Sequence, residues 1–276
     1  MSIVYLRTFY RFFRRFSCCR AVFSSLNTEL GQSVPPLEAA SHLLGAGVAR
    51  SGATCGVLIG SLMSAGLALY GRYTDDGAPA WVEAARKIAS GFAELTRGRL
   101  TCAELTAVDF SGRYGFWSYI FSARWVVCAP LAAKHAGRTL EIIKSYRRAG
   151  SGEVGFMRCG ERAVAASSLD DGLKRAIAAA VSTLFCGCAS GQVCGALAAK
   201  ILIAGIESFG DGLGLAKAAG SELFDPEALY AKALVVLDGF EERFGSIYCS
   251  KILGGPCEPE KLNEILAGPP CSLMFS

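Results

Sequence analysis

The strongest constraint on the fold of this chain is an internal repeat. Residues 55–67 and 194–206 both open with Cys-Gly and both close with Ala-Gly followed by an aliphatic residue. Two further pairs of blocks recur in the same order along the chain, namely 18–22 with 159–164 and 91–102 with 239–249. One such match could arise by chance, but three collinear matches indicate a duplication.

The duplication predicts two structural units joined by a short linker. The stretch Arg147–Gly152 is polar and glycine-rich, which is typical of a linker. We therefore expect a first four-cysteine helical repeat over residues 1–148 and a second, more divergent helical repeat over residues 153–276.

The residue types favour helices over strands in both repeats. Alanine, leucine and glutamate dominate, and the alternation of β-branched residues that marks strands is scarce. The predicted fold class is all-α, with two pseudo-symmetric helical-bundle repeats. Helices are predicted near 3–30, 37–48, 53–70, 79–97, 117–147, 157–169, 171–185, 191–208, 226–243 and 259–267.

The chain is apolar enough that membrane-spanning helices have to be considered. It is 52% hydrophobic and 19% charged, and residues 51–70 carry no charge. That segment is long enough to cross a bilayer. It is also rich in Gly, Ser and Thr, and the helix after it is amphipathic and charged. Central helices of a bundle explain this pattern better, so we expect no membrane span.

The charge of the chain excludes some partners and suggests others. A net charge of +4 is too small to indicate nucleic-acid binding, and no basic stripe is interleaved with aromatic residues. The arginine-rich N-terminal helix has aromatic residues between its charges and could contact a membrane surface. Packing of that helix on the body of the protein is the alternative.

The cysteine content bears on the compartment. The chain has twelve cysteines, whereas disulfide-framed secreted domains are usually much shorter. No secretory leader is apparent, because Arg20 interrupts the apolar run that a leader needs. We therefore expect the cysteines to be reduced thiols, cluster ligands or redox pairs in a reducing compartment, and we expect a cytoplasmic location.

Two cysteines stand where a helix is predicted to begin. Cys55 and Cys194 each precede glycine. A thiol at a helix N-terminus lies at the positive end of the helix dipole, which favours the thiolate and lowers the pKa. Burial would oppose this effect, and cysteine is also a common core residue. Because the arrangement is duplicated, we expect Cys55 and Cys194 to be the catalytic, most reactive thiols.

Each half can supply four thiols to one site. Four thiolates could hold an iron–sulfur cluster or a tetrahedral metal ion, or the thiols could form disulfides. No pair has the C-x-x-C spacing of zinc ribbons and thioredoxin-like proteins. The fourth thiol of the second half is expected to be Cys257 or Cys271. His135 is not expected to be a ligand, because it is predicted to lie at the surface. The candidate ligands are Cys18, Cys19, Cys55, Cys102, Cys128, Cys159, Cys186, Cys188, Cys194 and Cys249.

The two halves differ in one cysteine-bearing segment. Cys186 and Cys188 precede Cys194, whereas the first half has Ala46 and Val48 near those places. These two thiols are either ligands that belong to the second half alone or the result of drift.

With these residues laid out, the chain resembles the redox-active four-cysteine family named for its C…GCAxxG…C…C pattern. The family has four characteristic cysteines, and the first half of the chain matches each of them. The first two lie in the stretches Cys18–Val22 and Cys55–Gly60. The third is Cys102, shortly before Glu-Leu, and the fourth is Cys128 on a late helix. The second half departs from the pattern at Ala199 and at its fourth cysteine. The resemblance implies helical units with electron or thiol chemistry, and it names no substrate.

Two functions are compatible with these patterns. The first is redox activity, either by thiol/disulfide chemistry or by electron transfer through an iron–sulfur cluster, with a redox partner that the sequence does not identify. The second is a non-enzymatic binding or membrane-associated role with structural cysteines, beside a transporter.

Overall fold

The computed structural model describes residues 2–75, 77–110, 114–147, 150–151, 159–208 and 227–255. Within these ranges the chain forms thirteen α-helices, two 3₁₀ turns and one two-stranded ribbon, which confirms the all-α prediction. The predicted helix at 259–267 lies outside the described residues. The helices of the first half are α1 Ile3–Arg15, α2 Cys18–Leu30, α3 Pro35–Ala40, α4 Gly56–Leu69, α5 Ala80–Thr96, α6 Cys102–Thr106, α7 Gly115–Phe121 and α8 Trp125–Tyr146.

The second half repeats this pattern with fewer described helices. Its helices are α9 Cys159–Ala165, α10 Asp171–Val181, α11 Gly195–Glu207, α12 Glu227–Phe244 and α13 Cys249–Ile252. The antiparallel ribbon pairs β1, Arg72–Tyr73, with β2, Gly150–Ser151, and therefore ties the segment between the halves to the first half. The 3₁₀ turns, Ser41–Leu44 and Ser182–Leu184, follow α3 and α10 in equivalent positions.

The N-terminal region is two helices, so the prediction of one helix over 3–30 is wrong. Phe16 has a left-handed φ of 46° and ends α1, and Ser17 is extended. The Ser17 side chain accepts a hydrogen bond from the backbone N–H of Arg20 and caps α2. Cys18 consequently becomes the first residue of a helix. The predicted helix over 117–147 is likewise divided, because Ala123 is left-handed between α7 and α8.

The predicted helix over 37–48 ends early, in a segment of left-handed backbone. Residues 46–50 have φ values of 50°, 79°, 60°, 51° and 62°. Such a run costs roughly 1–2 kcal/mol per non-glycine residue, and backbone hydrogen bonds from Ala49 to Leu43 and from Gly52 to Ala46 hold it. Gly47 is required there, because an added Cβ would lie 2.4 Å from the Ala53 nitrogen.

The same left-handed segment occurs in the second half. Residues 186–189 have φ values of 49°, 59°, 61° and 55°, and a Cβ on Gly187 would lie 2.2 Å from the Gln192 oxygen. The predicted helix over 171–185 therefore ends in a 3₁₀ turn, and the one predicted over 191–208 begins at Gly195. Cys186 and Cys188 take the places of Ala46 and Val48, as the sequence comparison of the halves indicates.

The two halves make reciprocal contacts at equivalent positions. Gly66 on α4 packs against α10 of the second half, where an added Cβ would lie 2.2 Å from the Ala179 oxygen. Its counterpart Gly205 on α11 packs against the first half, beside Leu43 and Ala40. The counterparts Thr54 and Val193 contact each other, since the Val193 N–H donates to the Thr54 hydroxyl at 3.0 Å. Such reciprocal contacts are the pattern that a pseudo-two-fold relation between the halves predicts.

His135 is buried, so the expectation of a surface histidine is wrong. It is 1% exposed, and its ring packs edge-on against Phe92 with 5.0 Å between centroids. Burial, helped by Arg138, lowers the pKa of His135 to about 3. The surface position was predicted from the charged residues that neighbour His135 in the sequence. On a helix, however, neighbouring residues point to different faces, so their exposure does not indicate that of His135.

One helical run in the described residues, Asp171–Gly191, is long and apolar enough to cross a membrane by length and composition. About 56% of its apolar window is buried inside the protein, as in a core helix of a bundle. The run is not one straight helix, because the 3₁₀ turn and the left-handed residues interrupt it. The absence of a membrane span stays a prediction.

The contact at Gly66 gives a test of the packing between the halves. We expect Gly66→Ala to destabilise the protein by about 1–3 kcal/mol, because backbone oxygens surround the added methyl group. Gly205→Ala should cost less, since the nearest atom is the mobile end of Leu43. Chemical denaturation of both variants measures the difference.

A matched control is Gly91→Ala in the middle of α5. Nothing lies within 4 Å of the added Cβ, so the substitution should raise the free energy of unfolding by about 0.5–1 kcal/mol. Equal effects at Gly66 and Gly91 would contradict the packing described for α4 and α10.

Candidate functional site: a four-thiol pocket

The structure brings four cysteines of the first half around one small cavity. Cys18, Cys55, Cys102 and Cys128 line a space of about 20 Å³, and all four are free thiols. We call this site the four-thiol pocket. The rest of its wall is mostly apolar and consists of Phe16, Ala46, Val57, Leu105, Thr106, Tyr119 and Leu131.

Three of the four thiols stand at helix N-termini. Cys18 is the first residue of α2, Cys55 is the N-cap of α4, and Cys102 is the first residue of α6. Cys128 lies one turn into α8. The positive ends of several helices therefore point toward one cavity, an arrangement that favours negative charge there.

Glycines on α4 allow the first two cysteine-bearing segments to meet. A Cβ on Gly56 would lie 2.8 Å from the Cys18 sulfur and 2.9 Å from the Leu44 oxygen. A Cβ on Gly60 would lie 2.6 Å from the Cys19 oxygen. Glycine at these positions thus permits the N-terminus of α2 to lie directly against α4, and it places the Cys18 sulfur beside Cys55.

Backbone hydrogen bonds hold the third cysteine beside the second. The Cys55 N–H donates to the Leu100 oxygen at 2.9 Å, and the Cys102 N–H donates to the Ala53 oxygen at 2.7 Å. Thr101 and Glu104 form a capping box that starts α6. Helix α6 is not among the predicted helices, although its Thr-x-x-Glu spacing is a recognised N-terminal signal.

Burial dominates the ionisation of three of these thiols. It raises the pKa values of Cys55 and Cys102 well above the ordinary 9.0, and that of Cys128 to about 12. Backbone N–H groups of Val57 and Leu58 lower the pKa of Cys55, but less. A helix end contributes about 0.3–1 kcal/mol, whereas full burial can shift a pKa by about 3–5 units. At Cys55 burial therefore outweighs the helix-end effect, and the sequence left open which of the two is larger.

Cys18 is the most accessible thiol of the pocket. It is partly exposed, whereas the other three are buried. Its sulfur is still enclosed enough that burial raises the pKa, while hydrogen bonds from backbone groups, chiefly that of Ala46, lower it. Cys18 therefore lies where a reactant from solvent would first meet a sulfur.

Tyr119 is a site residue that was not among those predicted from the sequence. It lies on α7, is 8% exposed and hydrogen-bonds to Cys128. Burial raises the pKa of Tyr119, so the phenol stays protonated and donates to the sulfur. The aromatic run of α7 was the only signal for it in the sequence.

The second half repeats the geometry around its own thiols. Cys159 begins α9, Cys194 is the N-cap of α11, and Cys249 begins α13. The Cys194 N–H donates to the Ile247 oxygen at 2.9 Å and the Cys249 N–H to the Gln192 oxygen at 2.8 Å. These bonds correspond to those of Cys55 and Cys102. A hydrogen bond to Cys194, together with burial, raises the pKa of Cys159.

The remaining candidate cysteines of the second half differ in oxidation state. Cys186 is disulfide-bonded, whereas Cys188 is a free, buried thiol. Cys257 and Cys271, the candidates for the fourth cysteine, lie outside the described residues. The second half thus combines free thiols with a disulfide.

The dimensions of the four-thiol pocket bear on which cofactor it can hold. Among the described residues, no three His, Cys, Asp or Glu side chains lie close enough together to hold one metal ion. A cavity of about 20 Å³ has room for about one water molecule. Four thiolates are the donor set that an iron–sulfur cluster uses, and the binding of a cluster, which would need a wider cavity, stays a prediction.

Comparison with known proteins supports the duplication. The sequence profile of the family described as "Putative redox-active protein (C_GCAxxG_C_C)" matches residues 16–142 and, a second time, residues 157–273. No curated protein and no solved structure matches the chain. The two matched ranges together include all ten candidate cysteines.

The exposure and ionisation of the thiols predict an order of reactivity. In the reduced, folded protein we expect Cys18 to be alkylated first, followed by Cys128, Cys55 and Cys102 only at alkaline pH, because the thiolate is the nucleophile. Alkylation at several pH values with mass-spectrometric readout of each cysteine measures this order. Labelling of Cys55 before Cys18 near neutral pH would contradict it.

The same ionisation predicts how stability depends on pH. Burial raises the pKa of Cys128 from 9.0 to about 12 in the folded protein. Unfolded chains therefore lose thiol protons first, and stability falls as the pH rises from about 9 to about 12. Urea denaturation of the reduced protein should show this loss, and Cys128→Ala should make it shallower.

Proposed function

Since this chain belongs to the C_GCAxxG_C_C family of redox-active proteins, we propose that it performs thiol/disulfide exchange at the four-thiol pocket. The observation that carries the proposal is the convergence of four free thiols on one cavity of about 20 Å³. Thiols that line one cavity are candidates for a disulfide, which requires the two Cα atoms to lie within about 7 Å of each other. We place the reaction in the cytoplasm, where reduced thiols persist.

Cys18 and Cys55 form the proposed redox pair. Cys18 is the accessible thiol, and its sulfur lies against the residue that follows Cys55. The Cys18 thiolate attacks one sulfur of a substrate disulfide, whose other half leaves as a thiolate and takes a proton. The Cys55 thiolate then attacks Cys18, releases the second half of the substrate as a thiol, and closes the Cys18–Cys55 disulfide.

Other groups in the pocket assist this exchange. Backbone N–H groups at the starts of α2 and α4 hydrogen-bond to the sulfurs of Cys18 and Cys55 and stabilise these two thiolates as they form. Tyr119 donates to Cys128, and a charge on Cys128 acts on Cys55. Cys159 and Cys194, which are hydrogen-bonded to each other, are the equivalent pair of the second half.

Glutathione redox buffers and disulfide mapping test the proposed pair. We expect Cys18 and Cys55 to become oxidised together with loss of two electrons. In Cys55→Ser the resolving thiol is missing, so Cys18 should accumulate as a mixed disulfide with glutathione. Cys194→Ser, the equivalent change in the second half, should leave the Cys18–Cys55 disulfide intact.

The same thiols could instead serve an iron–sulfur cluster, and analysis of anaerobically purified protein distinguishes the two. If the protein contains stoichiometric iron and sulfide, and Cys55→Ser loses both, its function is electron transfer through a cluster and not thiol/disulfide exchange. Free thiols that cycle with glutathione, without bound iron, support the exchange mechanism.

A second candidate function, association with a membrane surface, is favoured by an exposed apolar face. This face joins α1 to α7 and the start of α8, where Phe9, Phe13 and Trp125 form a chain of ring contacts of 4.9 and 5.4 Å. Patches of this kind usually mark a binding surface. The apolar face consists of Ile3, Leu6, Phe9, Tyr10, Phe16, Trp117, Phe121, Val126 and Val127.

Charge beside the apolar face favours an anionic membrane as its partner. Arg11, Arg14 and Arg20 line a shallow groove with Tyr10, Ser24 and Glu38. Arginines beside exposed aromatic residues are typical of surfaces that bind anionic lipids. Phe16 belongs to the apolar face and also lines the four-thiol pocket, so a bound membrane would lie at the pocket entrance.

Vesicle sedimentation tests this second candidate with a matched pair of variants. Phe121 is 81% exposed on the apolar face, and Val235 is 72% exposed on α12. Phe121→Ser should weaken binding to vesicles that contain phosphatidylglycerol about tenfold or more, since burying a phenylalanine contributes about 1.5–3 kcal/mol. Val235→Ser should not change binding.

Vesicles of phosphatidylcholine alone should bind the unmodified protein more weakly than anionic vesicles, because the arginines then lack a charged partner. If the protein binds neither kind of vesicle, or if Phe121→Ser and Val235→Ser lose vesicle binding equally, the membrane proposal is wrong. The apolar face would then be a binding surface for a protein partner.

A further inference from the structure

A tyrosine of the second half is buried against the first half. Tyr230 lies in the first turn of α12 and is 5% exposed, and α12 packs against the 3₁₀ turn Ser41–Leu44. The Tyr230 hydroxyl donates a hydrogen bond of 2.9 Å to the backbone carbonyl of His42. Burial raises the pKa of Tyr230, so the phenol keeps the proton that it donates. The contact between the halves therefore includes a specific polar bond as well as packing.

The same tyrosine contacts both ends of the segment formed by residues 42–50. At the start of this segment, the His42 ring lies against the Tyr230 ring, with 5.7 Å between centroids. At its end, the Arg50 guanidinium carbon lies 4.0 Å from the centroid of the Tyr230 ring, which is a cation–π contact. The left-handed backbone over 46–50 persists only where surrounding contacts hold it. Tyr230 supplies such contacts from the other half.

The carbonyl that Tyr230 binds also holds the residue before Cys18. The His42 oxygen accepts from the Gly45 N–H at 3.0 Å and from the Ser17 hydroxyl at 3.5 Å. The Ser17 side chain caps α2, whose first residue is Cys18. The bond from Tyr230 therefore acts on the backbone group that joins the turn to the start of α2.

The segment 42–50 also reaches the Cys18 sulfur directly. Ala46 lines the four-thiol pocket, and its backbone hydrogen-bonds to the Cys18 sulfur. A Cβ on Gly45, the residue before Ala46, would lie 3.0 Å from the Ser17 hydroxyl oxygen, so the turn and the start of α2 are in close contact. Cys18 is therefore held by this segment both through the preceding serine and through its own sulfur.

The equivalent position of the first half carries no hydroxyl group. Tyr230 lies nine residues before Gly239, and Val82 lies nine residues before Gly91, the counterpart of Gly239. Helix α5, which contains Val82, packs against the 3₁₀ turn Ser182–Leu184 and the left-handed segment of the second half. Each half thus packs a helix on the corresponding turn of the other, but valine cannot donate the hydrogen bond that Tyr230 makes.

From these contacts we infer that Tyr230 of the second half is a positioning residue for the thiol/disulfide exchange of the first half. It holds residues 42–50, and with them the start of α2, so that the Cys18 sulfur stays beside Cys55. This inference rests on the proposed function of the four-thiol pocket. It makes the whole duplicated chain the functional unit, because the accessible thiol of the pocket depends on a helix of the other half.

The step that depends on this position is the closure of the Cys18–Cys55 disulfide. The reduced full chain is mixed with oxidised glutathione, which forms a mixed disulfide with Cys18. The Cys55 thiolate then attacks the Cys18 sulfur, forms the Cys18–Cys55 bond and releases glutathione as a thiolate, which takes a proton. Acid quenching at successive times, followed by mass spectrometry, gives the rate of this release.

Tyr230→Phe removes the hydroxyl and keeps the ring between His42 and Arg50. We expect it to slow the release of glutathione from Cys18 about threefold to tenfold. This range corresponds to the loss of one buried hydrogen bond, since the rate of such an attack depends on how the two sulfurs are placed.

Thr183→Val is a matched control. The buried Thr183 hydroxyl also crosses the boundary between the halves and donates to the Leu62 carbonyl at 2.7 Å, but Leu62 lies in the middle of α4. This variant should lower the free energy of unfolding as Tyr230→Phe does, yet it should leave the rate of glutathione release unchanged. A difference between the two variants thus separates positioning from general stability.

Hydrogen exchange of the backbone amides of residues 42–50 gives a second readout, which needs no thiol chemistry. Exchange should be faster in Tyr230→Phe than in Thr183→Val. If the unmodified protein closes the Cys18–Cys55 disulfide but Tyr230→Phe releases glutathione as fast as Thr183→Val, Tyr230 is not a positioning residue and the pocket chemistry stands. If the unmodified protein closes no such disulfide, the proposed function fails and the inference fails with it.

Discussion

The close contact of α4 with the start of α2 is the interaction on which the site depends. Gly56 and Gly60 leave no room for side chains there, and the Cys18 sulfur and Cys19 backbone occupy the space. A methyl group at either glycine would push the two helices apart and separate Cys18 from Cys55. The glycines that accompany the cysteines in the sequence are therefore packing requirements of the thiol site.

The duplication repeats this site but does not copy it. Both halves hold their second and third cysteines by the same backbone hydrogen bonds, and both reach the central helix through a left-handed segment. In the second half the left-handed segment contains Cys186 and Cys188. The equivalent segment of the first half contains no cysteine and contributes only to the wall of the four-thiol pocket. A symmetric fold thereby acquires an asymmetric distribution of thiols.

The competition between helix ends and burial decides the chemistry of the thiols. Helix N-termini favour the thiolate, yet the loss of water around Cys55 and Cys102 outweighs them and keeps both thiols protonated. Among the four cysteines of the pocket only Cys18 is a partly exposed residue, which is why we propose that it reacts first and that a buried thiol completes the disulfide.

The sequence by itself determined the all-α class, the duplication and the identity of the cysteines, because residue preference, repeat spacing and motifs are local properties of the chain. It also located the central helices at Cys55 and Cys194. It did not show the break at Phe16, since a left-handed phenylalanine has no sequence signature, nor the burial of His135. Tertiary structure alone decided which thiols line one cavity and that desolvation exceeds the helix-end effect at Cys55. Each of these depends on residues distant in sequence that exclude water or bring sulfurs together, which no local pattern encodes.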